Sequence, residues 1–327
     1  MPPAILRLPY DATLTVAGIE YAKKSLHFTY NRMGLHAAAR LRKIVAGVAV
    51  ELAFRRWLDA EGVPYDLLGA TPFTEPDRYD LRLGGRRCDV KSFVIGERAE
   101  ISTVRRDPAW LLDAEALVPE DQFGSDRLEA NDFYLFGFLA GLETRRRTEL
   151  ERALLAEQPV YLLYTLDQPA WLGAAQWRSL GRLVLKTDLP EALEFEIGGQ
   201  SGARIPHVER LALGPRERTV TAGEYHALHY LHPARLPGGT LGVRSAVLGE
   251  TVLVPPQRWE NIWVYGIEIF LAGWLTKAEF RARSRTLPAG TPVRQYPRGT
   301  QTDNRAAPIR ALRDVRELAE LIRSASH

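Results

Sequence analysis

Apolar residues recur at helical spacing between about residues 34 and 62, at Leu41, Ile44, Val45, Val48, Leu52 and Leu58, and the run ends at Gly62. The spacing predicts a long helix, with Glu51 set between Val50 and Leu52. Further on the period changes to two. Tyr79, Leu81, Leu83, Cys88 and Val90 fall on one face of an extended segment, and Asp80, Arg82, Arg87, Asp89 and Lys91 on the other. Gly84-Gly85 divides that segment and supplies the positive φ needed at both centres of a primed two-residue turn. The turn pairs Leu83 with Arg86, so Asp80 is expected directly opposite Asp89. A third strand at 93–95, a fourth at 133–138 and a helix at 144–157 complete an α/β core.

The flanks of this core read differently. The first thirty residues combine a β-like run at 13–17 with a polar stretch near 21–25, an extension packed on the long helix. Between 159 and 258 the texture becomes short β-rich runs broken by Gly and Pro, at 160–164, 182–186, 193–197, 218–221 and 252–254. An apolar run at 261–271 is expected to rejoin the core sheet as its last strand, with a closing helix from about 309. The chain therefore divides into an extension and core at 1–150, an inserted β-rich module at 151–258, and a strand and helices rejoining the core at 259–327.

With 327 residues, 46% hydrophobic and 25% charged, the chain has ordinary globular composition and buries a full core. No apolar stretch of about 18 residues or more occurs, and the start lacks a basic region followed by an apolar run, so no membrane span or signal peptide is expected and the cytoplasm is the expected compartment. The single cysteine, Cys88, excludes a disulfide framework and a four-cysteine iron-sulfur cluster. No phosphate-binding Walker loop and no Gly-x-Ser-x-Gly nucleophile elbow is present.

Two aspartates facing each other across a ladder, with Cβ atoms about 4.5–5.5 Å apart, repel unless a cation lies between them. Asp80 and Asp89 are thus a candidate divalent-metal pair. Asp77 has the opposite parity and points away. Lys91, two residues beyond Asp89, shares its face, and Glu51 on an apolar helix is costly unless it has a partner such as a cation.

This pattern, an acid followed by Asp89-Val90-Lys91 at the end of a short hairpin, resembles the PD-(D/E)XK nuclease superfamily. The chain departs from it at the first acid, where Tyr79 stands in place of the proline. Gln122-Phe123, 131–136, 273–280 and 302–305 are similar to segments of such nucleases, and the resemblance covers about the first 140 and last 70 residues. It implies a restriction-endonuclease-like mixed-sheet core flanked by helices, here with the inserted β-rich module. It also implies a metal-dependent endonuclease. Glu51, Asp80 and Asp89 with the Val90 carbonyl would bind Mg²⁺, with Mn²⁺ as a substitute, and Lys91 would orient or deprotonate the attacking water. Double-stranded DNA is the expected substrate and a homodimer the expected assembly, as in restriction-type or other defence enzymes, with base reading in the inserted module. The alternatives are a structure-specific or repair nuclease and a non-catalytic DNA-binding subunit on the same fold.

A net charge of +3 and a pI near 9.0 say little about a polyanionic partner, but the clustering of arginines says more. Arg55, Arg86, Arg87, Arg105 and Arg106 are candidate phosphate contacts, and Arg281, Arg283 and Arg285 add a further alternation. His226, His229 and His232 recur every third residue, a spacing that places two on one helical turn. They lack the cysteines or the acid of a zinc motif and read as half-buried histidines.

Overall fold

The computed structural model describes residues 2–25, 37–67, 81–125, 128–142, 146–158, 160–262 and 267–325. The chain opens with β1 (Leu6–Leu8), α1 (Ala12–Ser25), α2 (Ala37–Ala60), β2 (Tyr65–Asp66), β3 (Leu81–Leu83) and β4 (Arg86–Ile95). There follow α3 (Arg98–Arg106), β5 (Glu115–Pro119), α4 (Glu120–Ser125) and β6 (Phe133–Ala140). Next come α5 (Arg147–Leu155), β7 (Leu162–Thr165), β8 (Leu183–Thr187), β9 (Leu193–Gln200), β10 (Pro206–Leu213) and β11 (Arg218–Val220). β12 (Ala227–Pro233), β13 (Leu241–Ser245), β14 (Glu250–Val254) and β15 (Glu260–Asn261) continue that region. The last elements are β16 (Glu268–Thr276), α6 (Lys277–Arg283), β17 (Arg285–Leu287), β18 (Asn304–Pro308) and α7 (Val315–Ala325).

Two compact units result, one from residues 1–34, 43–142 and 266–327, the other from 35–42 and 143–265. The first is mixed α/β. Its six-stranded sheet has the order β1-β16-β6-β4-β3-β2; β4 and β6 run parallel, while the other described pairs are antiparallel. Every residue of β6 is buried, and only the last residue of β16 is not. Strands buried on both faces read as unbroken apolar runs, which is the pattern of Phe133–Ala140. A second sheet of this unit has the order β17-β18-β5.

Three expectations for this unit change. The segment 13–17 is helical within α1, where Leu14, Ile19 and Ala22 are buried and Val16 is exposed, a helical rather than an alternating pattern. Residues 93–95 are the end of β4, not a separate strand. In α2 the buried stripe is Ala38, Leu41, Val45, Ala46, Ala49, Val50, Ala53, Phe54 and Leu58, so Ile44, Val48 and Leu52 sit beside it rather than on it. Small side chains let the helix approach the sheet closely. A Cβ at Gly47 would lie 3.6 Å from Ser92 Oγ, and one at Gly137, the β6 partner of Ser92, would meet Val50 Cγ1 at 2.6 Å.

The second unit holds two antiparallel sheets, β10-β9-β12-β7-β15 and β11-β8-β13-β14. Both contribute to one core, including Trp171, Leu183, Leu185, Phe195, Ile197, Tyr225, Leu231, Val243 and Trp259. Its residues, 35–42 and 143–265, include α5 and β15. The run 261–271 is accordingly not one strand. Its first residue pairs with β7, and the described residues from Glu268 pair with β6. Among the described residues no helix is long and apolar enough to cross a membrane.

Candidate functional site

The β3–β4 hairpin carries the site. Gly84 and Gly85 have φ of 52° and 77°, and Leu83 partners Arg86, Arg82 partners Arg87 and Leu81 partners Cys88. Asp80 and Asp77 lie outside the described residues. Along β4 the side chains alternate. Cys88, Val90 and Ser92 face α2, while Asp89 and Lys91 face the other way, on the side of Phe93 and Ile95.

Asp89 is buried, and its Oδ2 lies 2.6 Å from Lys91 Nζ. The same ammonium donates to Gln122 Oε1 of α4 at 3.2 Å. The floor is aromatic. Tyr134 and Phe136 are the β6 partners of Asp89 and Lys91, and both pack against Phe280, with ring centroids 5.3 and 5.6 Å away. Phe123, next to Gln122, lies 6.3 Å from Tyr134. Around Phe123 gather three cations, Arg305 at 5.0 Å, Lys277 at 5.2 Å and Arg281 at 5.7 Å from the ring centroid. Asp132 ties the strands together at this end, accepting from the Arg87 and Glu129 amides at 2.9 and 2.7 Å.

The other sequence-predicted residues are spread more widely. Glu51 rides on α2, over the face of β4 opposite Asp89 and Lys91, and its Oε1 lies 3.5 Å from Arg55. Arg55 is also over the Tyr65 ring at 5.8 Å. Arg105 is engaged by Glu268, whose β6 partner Ala140 neighbours Ile95. That rung is six residues along β4 from Asp89, about 20 Å at strand rise, so Arg105 does not flank the pair. Arg86 is exposed over Phe133, Arg87 is half-buried on the Asp89 face, and Arg106 is exposed.

Of the alternation 281, 283 and 285, Arg281 alone joins Phe123. Arg283 donates to the Ala311 carbonyl and pairs with Glu279, and Arg285 pairs with Glu115. Lys277, Arg305 and the role of Gln122 toward Lys91 were not legible as site chemistry. All three fall in the segments 122–123, 273–280 and 302–305 that are similar to segments of such nucleases, but nothing local in the sequence brings those segments together.

A hard cation takes carboxylate and carbonyl oxygens. Asp89 and the Val90 carbonyl fit that donor type, but among the described residues no group of three or more His, Cys, Asp or Glu side chains could hold a metal ion. The second carboxylate of the expected pair, Asp80, lies outside the described residues. The histidines do not converge on a metal either. His229 and His232 lie on strand β12 rather than a helix, with a bulge between Leu228 and Tyr230. His229 contacts Gln200, and His232 Nδ1 contacts the Leu162 carbonyl while its ring stacks on Tyr161. His226 precedes the strand and packs against Trp177.

Comparison with known proteins returns no matching family model, no matching curated protein and no matching solved structure.

Proposed function

We propose that the protein is a metal-dependent endonuclease that hydrolyses phosphodiester bonds of double-stranded DNA, on a restriction-endonuclease-like core with an inserted β-rich module. The observation that carries this reading is the Asp89–Lys91 pair, on one face of β4, in a hairpin that pairs Leu81 with Cys88 and Leu83 with Arg86. Asp80, Asp89 and the Val90 carbonyl would hold Mg²⁺ or Mn²⁺. When bound, such an ion stabilises charge on the phosphate oxygens and lowers the pKa of a ligated water.

The chain's own groups do the rest. Lys91, steadied by Gln122, holds its ammonium beside Asp89, where it orients a water toward the phosphorus. The buried aromatic floor of Tyr134, Phe136 and Phe280 excludes bulk water beneath the pair and keeps its electrostatics strong. Glu51, on the opposite side of β4, serves α2 through Arg55. A restriction-type dimer is the proposed assembly, since one site cuts one strand, and the second unit is the proposed base-reading element.

A second reading is a DNA-binding protein that keeps this fold without cutting. It is favoured by the shortness of the Asp89–Lys91 contact, because an ammonium at 2.6 Å already neutralises the carboxylate. Incubation of purified protein with plasmid and Mg²⁺ separates the readings. Discrete bands support a sequence-reading endonuclease, a smear a nuclease without base readout, and intact plasmid with metal-independent binding the second reading.

A further inference from the structure

The outer face of the sheet β11-β8-β13-β14 carries charge of one sign. Side chains alternate along its strands, so that Leu183, Leu185 and Val243 enter the core of the second unit. The opposite parity presents Arg218 and Val220 of β11, Lys186 of β8, Arg244 of β13 and Leu253 of β14, all exposed. Arg218 is the direct strand partner of Lys186. Lys186 in turn partners Gly242, two residues before Arg244, and Gly242 partners Leu253. Three cations thus cross three adjacent strands, and no outward position of the four strands holds Asp or Glu.

Like charges directly opposite on a ladder, with Cβ atoms about 4.5–5.5 Å apart, destabilise it. Among the described residues the side chains of Lys186, Arg218 and Arg244 enter no ion pair and no hydrogen bond. The neighbouring carboxylates are engaged elsewhere. Glu250 accepts from Trp171 Nε1 at 3.0 Å on the core side, Asp188, past the end of β8, accepts from the Thr240 amide at 2.8 Å, and Glu217 folds over Gly214. The repulsion between Arg218 and Lys186 is a cost in the free protein that a polyanion laid on the face removes. The face is also broad: ordinary strand spacing sets β11 and β14 about 14 Å apart, wider than the ~12 Å major groove of a duplex. It cannot enter a groove, and its long cationic side chains meet the sugar–phosphate ridge instead.

We propose that this face docks the phosphate backbone of duplex DNA, with Arg218, Lys186 and Arg244 as its phosphate contacts. This rests on the DNA-directed reading above and adds to it a backbone-holding surface in the second unit. Contacts of this kind position a duplex without reading its sequence. Base readout by the second unit therefore falls to residues outside this face.

The test is binding of two labelled DNA duplexes of unrelated sequence to the full-length protein in EDTA, followed by fluorescence anisotropy across a salt series. The double variant Arg218→Ala/Arg244→Ala is expected to bind both duplexes about tenfold more weakly and to reduce the slope of log K against log salt by about two, with Arg244→Lys near wild type. Arg235→Ala, which removes a guanidinium of the same unit paired with Glu191, is the control, and thermal unfolding confirms that each variant is folded. Affinity and slope unchanged in the double variant overturn the proposal. So does a loss confined to one duplex, which would make these side chains base readers. A second arm uses vesicles of phosphatidylserine and phosphatidylcholine: vesicle binding lost in the double variant while duplex binding stays equal assigns the face to a lipid surface and overturns the proposal. Plasmid with Mg²⁺ keeps the two readings apart. Intact plasmid alongside face-dependent duplex binding defeats only the nuclease assignment, cleavage alongside unaltered binding by the double variant defeats only the face, and absence of duplex binding by the wild-type protein defeats both.

Discussion

Lys91 and Asp89, two residues apart on β4, meet with Nζ 2.6 Å from Oδ2 while their side chains keep only 16% and 11% of their exposure. A pair so shielded has structural and chemical consequences that substitution can separate. Removing one partner leaves a buried charge uncompensated, and Lys91→Ala is expected to destabilise the protein by about 3 kcal/mol. The double variant Asp89→Asn/Lys91→Met should recover most of that in a denaturant titration, because neither charge remains. Plasmid cleavage should stay at least ~100-fold down in Asp89→Asn, Lys91→Ala and the double variant alike. Recovery of cutting together with stability in the double variant would show that the pair is only structural.

Glu51 should matter less than Asp89. Its helix packs on the Ser92 side of β4 and its Oε1 lies 3.5 Å from Arg55, so Glu51→Gln is expected to keep cleavage within about tenfold of wild type while Asp89→Asn loses far more. Equal losses would place the Glu51 carboxylate at the reacting phosphate.

The register of the hairpin makes a further distinction. Leu81 is opposite Cys88, and the alternation read from the sequence predicts Asp80 against Asp89 on the next rung, with Asp77 on the other parity. Asp80→Asn should abolish cutting and Asp77→Asn should be mild. The reverse ranking would mean that the ladder does not continue in register beyond Leu81.

Gly137→Ala tests how α2 sits on the sheet. The added methyl meets Val50 Cγ1 at 2.6 Å and Leu271 Cδ2 at 3.3 Å, and should cost about 1–3 kcal/mol by overpacking. Combining it with Val50→Ala should restore part of the loss in thermal unfolding. Additive losses would show that the methyl strains something other than this contact.

In the second unit, burial raises the pKa of Glu209, but hydrogen bonds from the Gly223 and Ala222 amides and the His207 ring outweigh it and hold the carboxyl below its ordinary 4.5. A depressed folded value means that Glu209 contributes its stability fully above about 4.5, and that the contribution is lost as pH falls through the lower folded value. Unfolding midpoints should drop across that acid window, and Glu209→Gln should flatten the drop while lowering the midpoint at neutral pH. An identical pH profile in the variant would remove Glu209 from the balance.

The parts of this molecule that could be read in the sequence are those whose signal is local. Gly84-Gly85 demanded a primed turn, and alternation from Leu81 to Lys91 then sorted the faces. α2 was legible as a helix, but its phase was not, since Ala38, Ala46, Ala49 and Ala53 form the contact stripe and hydropathy favours Ile44, Val48 and Leu52. The three-residue recurrence of histidines concealed β12, whose bulge breaks the alternation that marks a strand. Neither Lys277 nor Arg305 could be assigned to Phe123, more than 150 residues earlier, because only the pairing of β16 with β6 and of β18 with β5 brings them there.

The parallel pairing of β4 with β6 has a temporal meaning. Residues 96–132 must loop across before these strands can zip together, and the flanking strand β16 comes from beyond residue 267. Long-range closures of this kind are slow and come late. During synthesis the β3–β4 hairpin thus leaves the ribosome well before β6 and β16, and the sheet around Asp89 closes only after both have emerged.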